Sequence, residues 1–327
     1  MSGYYSPLAY TVTEHEDGWL LKTVLQRRLQ VSRKLLSRIK LTEQGVMLNG
    51  ERVYISVKVS AGDVVEVRME QEESDDILPE PIPFSILYED EHLLIVNKDS
   101  GIIVHPTHGH YTGTLANGVV HYWKSKGERF RFRPIHRLDQ ETSGVLAIAK
   151  NPYVHQHVSE QMIAGTVDKQ YIAFVHGCPA HIDGAIDGPI DRDPEEPHRR
   201  IVTPDGYAAR TLYTTVTRWA EGSASAVNLK LESGRTHQIR VHMTSIGCPL
   251  IGDRMYKTFP IHEIDEQTLA IRKERDTWID RQALHACELA FDHPVLQKRM
   301  TFHAPLPADM AALEARLDTE AAPRETF

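Results

Sequence analysis

From Pro83 onward the chain is cut into short apolar runs, FSILY, HLLIVNK, GVLAIAK, YIAFVHG, TLYTTV and AVNLKLE, separated by turn residues. Runs this short and this rich in β-branched and aromatic residues are strands. Helical patterns are fewer. One starts at Asn151-Pro152, a cap followed by proline at the first helical position, and runs to about Ala164. Another takes Thr236 as its N-cap, continues through HQIRVHMTSI and stops at Gly247. Strands outnumber the helices that parallel neighbours would need as crossovers. An α+β fold with a mixed, mostly antiparallel sheet and peripheral helices is therefore expected.

Charge divides the chain before Pro83. Between Gly18 and Met69 stand ten basic residues and four acidic ones, and Glu70 to Glu91 then holds nine acids and no base, with Pro79, Pro81 and Pro83 among them. The second stretch reads as a stiff, solvated linker. The expected division is an extension over 1–17, a small domain over 18–70, a linker over 71–83, a large domain over 84–312 and a tail over 313–327. On this reading a chain that starts near Pro79 folds by itself.

In the basic segment, VSRKLLSRIK offers Ser32 as an N-cap, Leu35, Leu36 and Ile39 as an apolar stripe, and Arg33, Lys34, Arg38 and Lys40 for the other faces. GVMLNGERVYI reads as a hairpin, because Asn49-Gly50 suits a two-residue type I′ turn. SRKLL, Gly45, VMLNG and KVSAGDVVEV together resemble the small α/β RNA-binding domain first named in ribosomal protein S-four. That resemblance implies that Arg33, Lys34, Arg38 and Lys40 lie against RNA phosphates, which give affinity without sequence information.

Several function classes drop out. No apolar stretch approaches twenty residues, so no membrane span is expected. The amino terminus lacks the basic start and apolar run of a secretory signal. Cys178, Cys248 and Cys287 form no CxxC pair, and a reducing cytoplasm fits them. There is no GxxxxGK[ST], no GxGxxG after a strand, and no DFG to accompany HRLD, so nucleotide-triphosphate, NAD and kinase readings fail. His105, His108 and His110 suggest zinc only weakly, since no fourth ligand stands out. No metal and no cofactor is expected. The net charge of −8 taken alone disfavours a polyanionic partner, but the basic segment reverses that inference. Nothing in the sequence sets an oligomeric state, and a monomer is the default.

What remains is a single acid. In IHRLDQETSG, Asp139 is followed by small and polar residues and then by the strand VLAIAK, which places it in a loop leading into a rigid element. An isolated aspartate there most often braces its own loop. HRLDQETSG, however, is followed in order by KQY at 169–171, ESGRTHQIRVHM at 232–243, PLIGDRMY at 249–256 and LHACELAFDHP at 284–294. Together these motifs resemble the large-subunit ribosomal pseudouridine synthases of the RluA, RluC and RluD type. The resemblance implies that Asp139 is the catalytic aspartate, that Tyr171 stacks on the target base and that Arg240 pairs with the aspartate. It further implies that Arg137 fills the gap left by a flipped nucleotide and that Leu284 belongs to the apolar wall near the tyrosine. Two places depart from the family pattern: Asp99 in NKDSG stands where proline is usual, and Gly206-Tyr207-Ala208-Ala209 replaces a Gly-Lys-Pro-Ala turn.

Isomerising uridine to pseudouridine adds and removes nothing, which agrees with the missing cofactor motifs. One carboxylate serves either as nucleophile or as a base toward the sugar, and the sequence leaves both open. Enclosure raises a carboxyl pKa, so a fixed cation such as Arg240 is needed beside it. Ribosomal RNA, 23S RNA first, is the expected substrate. A transfer RNA substrate, or a non-catalytic RNA-binding assembly factor, are the alternatives.

Overall fold

The structure, a computed structural model, describes residues 3–257, 264–320 and 325–326. The small domain is an antiparallel sheet ordered β1-β4-β2-β3 from β1 (Leu8–Thr11), β2 (Val46–Leu48), β3 (Glu51–Arg52) and β4 (Val64–Val67), with two short helices, α1 (Leu21–Arg27) and α2 (Arg33–Ile39). Ser32 caps α2 by accepting from the Leu35 N–H at 3.1 Å. Leu35, Leu36 and Ile39 are buried, whereas Arg33, Lys34, Arg38 and Lys40 are exposed. Asn49 and Gly50 both take positive φ, 52° and 83°, as a type I′ turn requires.

The large domain is built on one mixed sheet. In chain order it holds β5 (Ser85–Glu89), β6 (Leu93–Lys98), α3 (Leu115–Ser125), β7 (Ser143–Ala149), α4 (Pro152–Ala164), β8 (Asp168–His176) and β9 (Asp183–Asp187). It continues with β10 (Ile190–Arg192), β11 (Arg200–Val202), β12 (Arg210–Trp219), β13 (Ala224–Leu231), α5 (Gln238–Ser245) and α6 (Glu266–Arg275). The last elements are β14 (Leu284–His293), β15 (Lys298–His303), α7 (Ala308–Glu320) and β16 (Glu325–Thr326). The strand order is β16-β12-β13-β8-β14-β7-β6-β5, with β15 paired to β14 and β9 to β12, while β10 and β11 form a separate ribbon. Among the described strands only β7 and β14 run parallel. Each of the six apolar runs forms a strand, and Asn151 caps α4, which ends on a left-handed Gly165.

Three expected boundaries are corrected. Residues 1–17, of which 1–2 lie outside the described residues, are no extension: β1 pairs with β4, and the Tyr5 N–H donates to the Met69 carbonyl. The segment 71–83 is not a solvated linker. Ser74 and Ile77 are 2% and 4% exposed, Ser74 Oγ accepts from the Phe132 N–H, and Asn117 Nδ2 donates to the Leu78 carbonyl. Its acids find bases by folding back, Glu72 onto Arg38 and Arg133 and Glu73 onto Arg129. Finally, 313–327 continues α7, whose Leu313 and Leu317 are fully buried, and carries β16; residues 321–324 and 327 lie outside the described residues.

The two domains also share a core. Leu25, Leu35, Ile39 and Val65 belong to the same apolar cluster as Leu93, Val145, Tyr153 and Phe291. Gln156 of α4 bridges the seam, accepting from the Ser32 N–H and donating to the Gln30 carbonyl. A chain starting at Pro79 bares this seam and loses Ile77, so it should not behave as an autonomous unit. Its thermal midpoint should fall by about 5–10 °C relative to the whole chain, from a few kcal/mol of lost burial. Scanning calorimetry of the two chains checks this, and equal midpoints would restore the linker reading.

Candidate active site

Asp139 occupies a turn closed by its own carbonyl, which accepts from the Thr142 N–H at 3.0 Å just before β7. The small residues that follow have a steric reason. Gly144 has φ +119°, and a Cβ there would lie 2.1 Å from the Ala286 carbonyl oxygen, because β7 and β14 meet at this point. Ser143 Oγ bonds His285 Nδ1 at 2.9 Å. From the other side, buried Lys98 donates to the carbonyls of Asp99, Ile102 and Gln140 at 2.8–2.9 Å. The acid's loop is thus fixed by backbone contacts from both flanks. Burial pushes the Lys98 ammonium down to about 7.

Asp139 opens into a cleft lined also by His136, Arg137, Lys169, Tyr171, Arg235, His237, Arg240 and Leu284. These come from the β7 loop, β8, the first residue of β14 and α5 with its approach loop. Arg240 is 6% exposed and forks onto Asp253, Nε to Oδ2 at 2.6 Å and Nη2 to Oδ1 at 2.8 Å. Its remaining nitrogen, Nη1, stands 4.0 Å from Asp139 Oδ2. Asp253 is itself held, accepting from the N–H groups of Met255 and Tyr256, and the Tyr256 ring lies 4.8 Å from the guanidinium. Burial works against the Arg240 charge, yet Asp253 and then Asp139 more than offset it, and its pKa is raised. Burial, with a smaller contribution from Asp139, raises the Tyr171 phenol well above its usual range, so the ring is neutral. The His136 imidazole is pushed down to about 4 by burial and the Lys169 ammonium, and its Nε2 accepts from the Ala147 N–H.

Of the residues singled out from the sequence, Asp139, Tyr171, Arg240, Arg137 and Leu284 converge on this cleft. Arg33, Lys34, Arg38 and Lys40 do not line it; they form an exposed face on α2, and Arg38 is ion-paired with Glu72. Thr236 is not the N-cap of α5. The helix begins at Gln238 after His237 in a left-handed conformation, φ 58°, and Gln238 Oε1 closes the turn by accepting from the Arg235 N–H and Ser233 Oγ. Three contributors escape sequence reading: Asp253, Lys98 and His237. Asp253 was visible as the acid of GDRMY, but only the fold puts it behind Arg240. Among the described residues no group of three or more His, Cys, Asp or Glu is arranged to hold a metal ion.

Residues 92–245, which contain Asp139, Tyr171 and Arg240, match the family model of RNA pseudouridylate synthase. The chain is 40% identical to the uncharacterized RNA pseudouridine synthase YjbO of Bacillus subtilis, over 87% of this chain and 95% of that one. It is 37% identical to ribosomal large subunit pseudouridine synthase D of Pseudomonas aeruginosa, over 88% and 86%. It also superposes on the human RNA pseudouridylate synthase domain containing 4 with a TM-score of 0.57 at 25% identity, over 72% of this chain and 93% of that one. The chain belongs to the RNA pseudouridine synthase family. Among the described strands the enzyme's one parallel pairing, β7 with β14, lies beside the cleft.

Two predictions follow from the geometry. Asp253→Asn removes the charge that balances a buried guanidinium, and breaking such a pair costs about 3–5 kcal/mol. Urea unfolding measures it, and a loss under about 1 kcal/mol would mean that Arg240 is held by other contacts. Lys98 supplies a pH test. Its unfolded value is the ordinary 10.5 and its folded value about 7, so between these the unfolded chain binds the extra proton. Folding stability from this group therefore grows as pH rises above 7, and the cost of burying its charge is complete below 7. The stability deficit of Lys98→Met should accordingly widen from pH 7 to 9. A deficit that narrows would show that the three carbonyls hold the ammonium more strongly than burial opposes it.

Proposed function

We propose that this enzyme isomerises specific uridines of ribosomal RNA, those of 23S RNA first, with Asp139 as its one catalytic carboxylate. The reaction breaks the glycosidic bond at nitrogen 1 of uracil, turns the base and rejoins the sugar through carbon 5. The observation that carries the assignment is the pairing of a cleft carboxylate with a guanidinium whose other two nitrogens are already committed. Arg240 is aimed by Asp253 and brings its free Nη1 to 4.0 Å from Asp139. An arginine so fixed keeps the acid ionised when a bound base excludes water. It also leaves the carboxylate free to attack the sugar or base, or to take the sugar's 2′ proton.

Tyr171 provides a flat, neutral face on the cleft wall beside Leu284, suited to a base turned out of its helix. Arg137 is exposed and lines the cleft, and in this reading it enters the space the base vacates. His136 is neutral, with its Nε2 accepting from the Ala147 N–H, and it is assigned no proton transfer in this scheme. The exposed face of Arg33, Lys34, Arg38 and Lys40, on a domain resembling that of ribosomal protein S-four, supplies phosphate contacts outside the cleft. The ribosomal preference rests on the names of relatives such as the Pseudomonas aeruginosa enzyme, and it puts the work in the cytoplasm.

Pseudouridine mapping in ribosomal and transfer RNA from cells with and without the protein identifies the target. A missing modification confined to transfer RNA would overturn the ribosomal assignment. Asp139→Asn keeps the side chain's size and removes its charge and basicity, so turnover should vanish while RNA binding persists, since phosphate contacts lie elsewhere. Arg240→Met should cut turnover severely by leaving Asp139 without its counter-charge. Near-normal turnover by Asp139→Asn ends the single-carboxylate reading.

A further inference from the structure

Tyr207 stands at one of the places where this chain departs from the family pattern, and the ring is 65% exposed. Its backbone is nevertheless fixed. The Tyr207 N–H donates to the Ile190 carbonyl at 3.0 Å and its carbonyl accepts from the Ile190 N–H at 2.9 Å, an antiparallel bridge to β10. The preceding Gly206 lies so close to that strand that a Cβ would come within 2.7 Å of the Ile190 backbone. The ring is also partnered: the Arg235 guanidinium lies 5.3 Å from its centroid, aimed there by a 3.2 Å bond from Nε to the Ala208 carbonyl. Arg235 in turn lines the cleft that holds Asp139 and Tyr171. An aromatic ring on fixed backbone, open to solvent and joined to the cleft through the Arg235 that backs it, is not explained by packing.

We infer that Tyr207 and Arg235 form a stacking subsite for a nucleobase next to the uridine that enters the cleft, an inference that rests on the RNA-target reading given above. Every base offers a π-face to such a platform, and the adjoining guanidinium adds a cation–π contribution while favouring the neighbouring phosphate. Such a contact needs an unstacked base, so this chain should grip an RNA whose flanking nucleotide is splayed out of its helix.

The test uses the full-length enzyme and a synthetic stem-loop RNA spanning the uridine found by mapping. Tyr207→Ala should weaken binding about ten-fold, within the range for loss of one base–aromatic stack, with the larger share of the kinetic loss in KM. Tyr207→Phe should restore binding. An abasic nucleotide at one position flanking the uridine should cost the wild type as much as Tyr207→Ala does, and should cost the alanine variant nothing more. Unchanged affinity in Tyr207→Ala, or a loss that persists undiminished with abasic nucleotides at every flanking position, overturns the subsite. If the wild-type enzyme leaves the stem-loop unmodified, the target reading fails and the subsite falls with it. Turnover with unaltered binding by Tyr207→Ala overturns the subsite alone.

Discussion

Everything at the cleft depends on one buried ion pair. Arg240 is nearly inaccessible, and a guanidinium in that position is tolerable only because Asp253 takes two of its nitrogens at 2.6 and 2.8 Å. That fork fixes the plane of the guanidinium, and the plane decides where the third nitrogen points. Asp253 is held by two backbone N–H groups of the turn that follows it, and Tyr256 in that turn lies against the guanidinium. The pair therefore ties α5 to the segment after β8's neighbour Leu250, and sets the distance to Asp139 without touching Asp139's own loop. Two independent supports, the Asp253 fork for the cation and the Lys98 and Gly144 contacts for the acid, meet across 4.0 Å. Fixing both charges before any substrate arrives is electrostatic preorganisation.

The strands of the large domain were legible because each apolar run has a period and a boundary of its own. FSILY through AVNLKLE become β5, β6, β7, β8, β12 and β13, and Asn151-Pro152 starts α4. Asp139, Tyr171 and Arg240, singled out by their motifs, do come together in one cleft. What escaped was long-range. Asp253 is an ordinary aspartate until the fold sets it behind Arg240, and Lys98 is an ordinary strand-end lysine until three carbonyls from two loops surround it. The α5 start failed for a local reason: Thr236 has the chemistry of an N-cap, but the Gln238 side chain closes the Arg235 turn first and forces His237 to positive φ.

The misread linker has an electrostatic cause. Nine acids and three prolines in 22 residues satisfy every local criterion for a solvated spacer. Local criteria do not see partners across the chain. Glu72 meets Arg38 and Arg133, Glu89 meets Lys150 and Lys126, Asp90 meets His293, and Glu80 accepts from the Gly113 N–H. The stretch therefore runs as a seam along both domains, with Ile77 in the large domain's core. The prolines fit this role as well as a spacer's, since they fix an extended backbone that docks by side chains and scattered hydrogen bonds.

The same pairing resolves the conflict between a net charge of −8 and a nucleic-acid substrate. Net charge counts acids wherever they lie, but an approaching phosphate meets only the field of the surface it nears. Acids such as Glu16, Glu72, Glu89, Asp90 and Asp253 are engaged by arginine, lysine, histidine or backbone N–H groups, and Glu16 and Asp253 are almost wholly buried. Of the residues lining the cleft the exposed charged ones are Arg137 and Arg235, and on α2 and just after it Arg33, Lys34 and Lys40 are exposed, with Arg38 shared with Glu72. The small domain is locked to the large one by a shared core rather than hung from a tether. Its basic face therefore keeps a fixed distance and direction from Asp139.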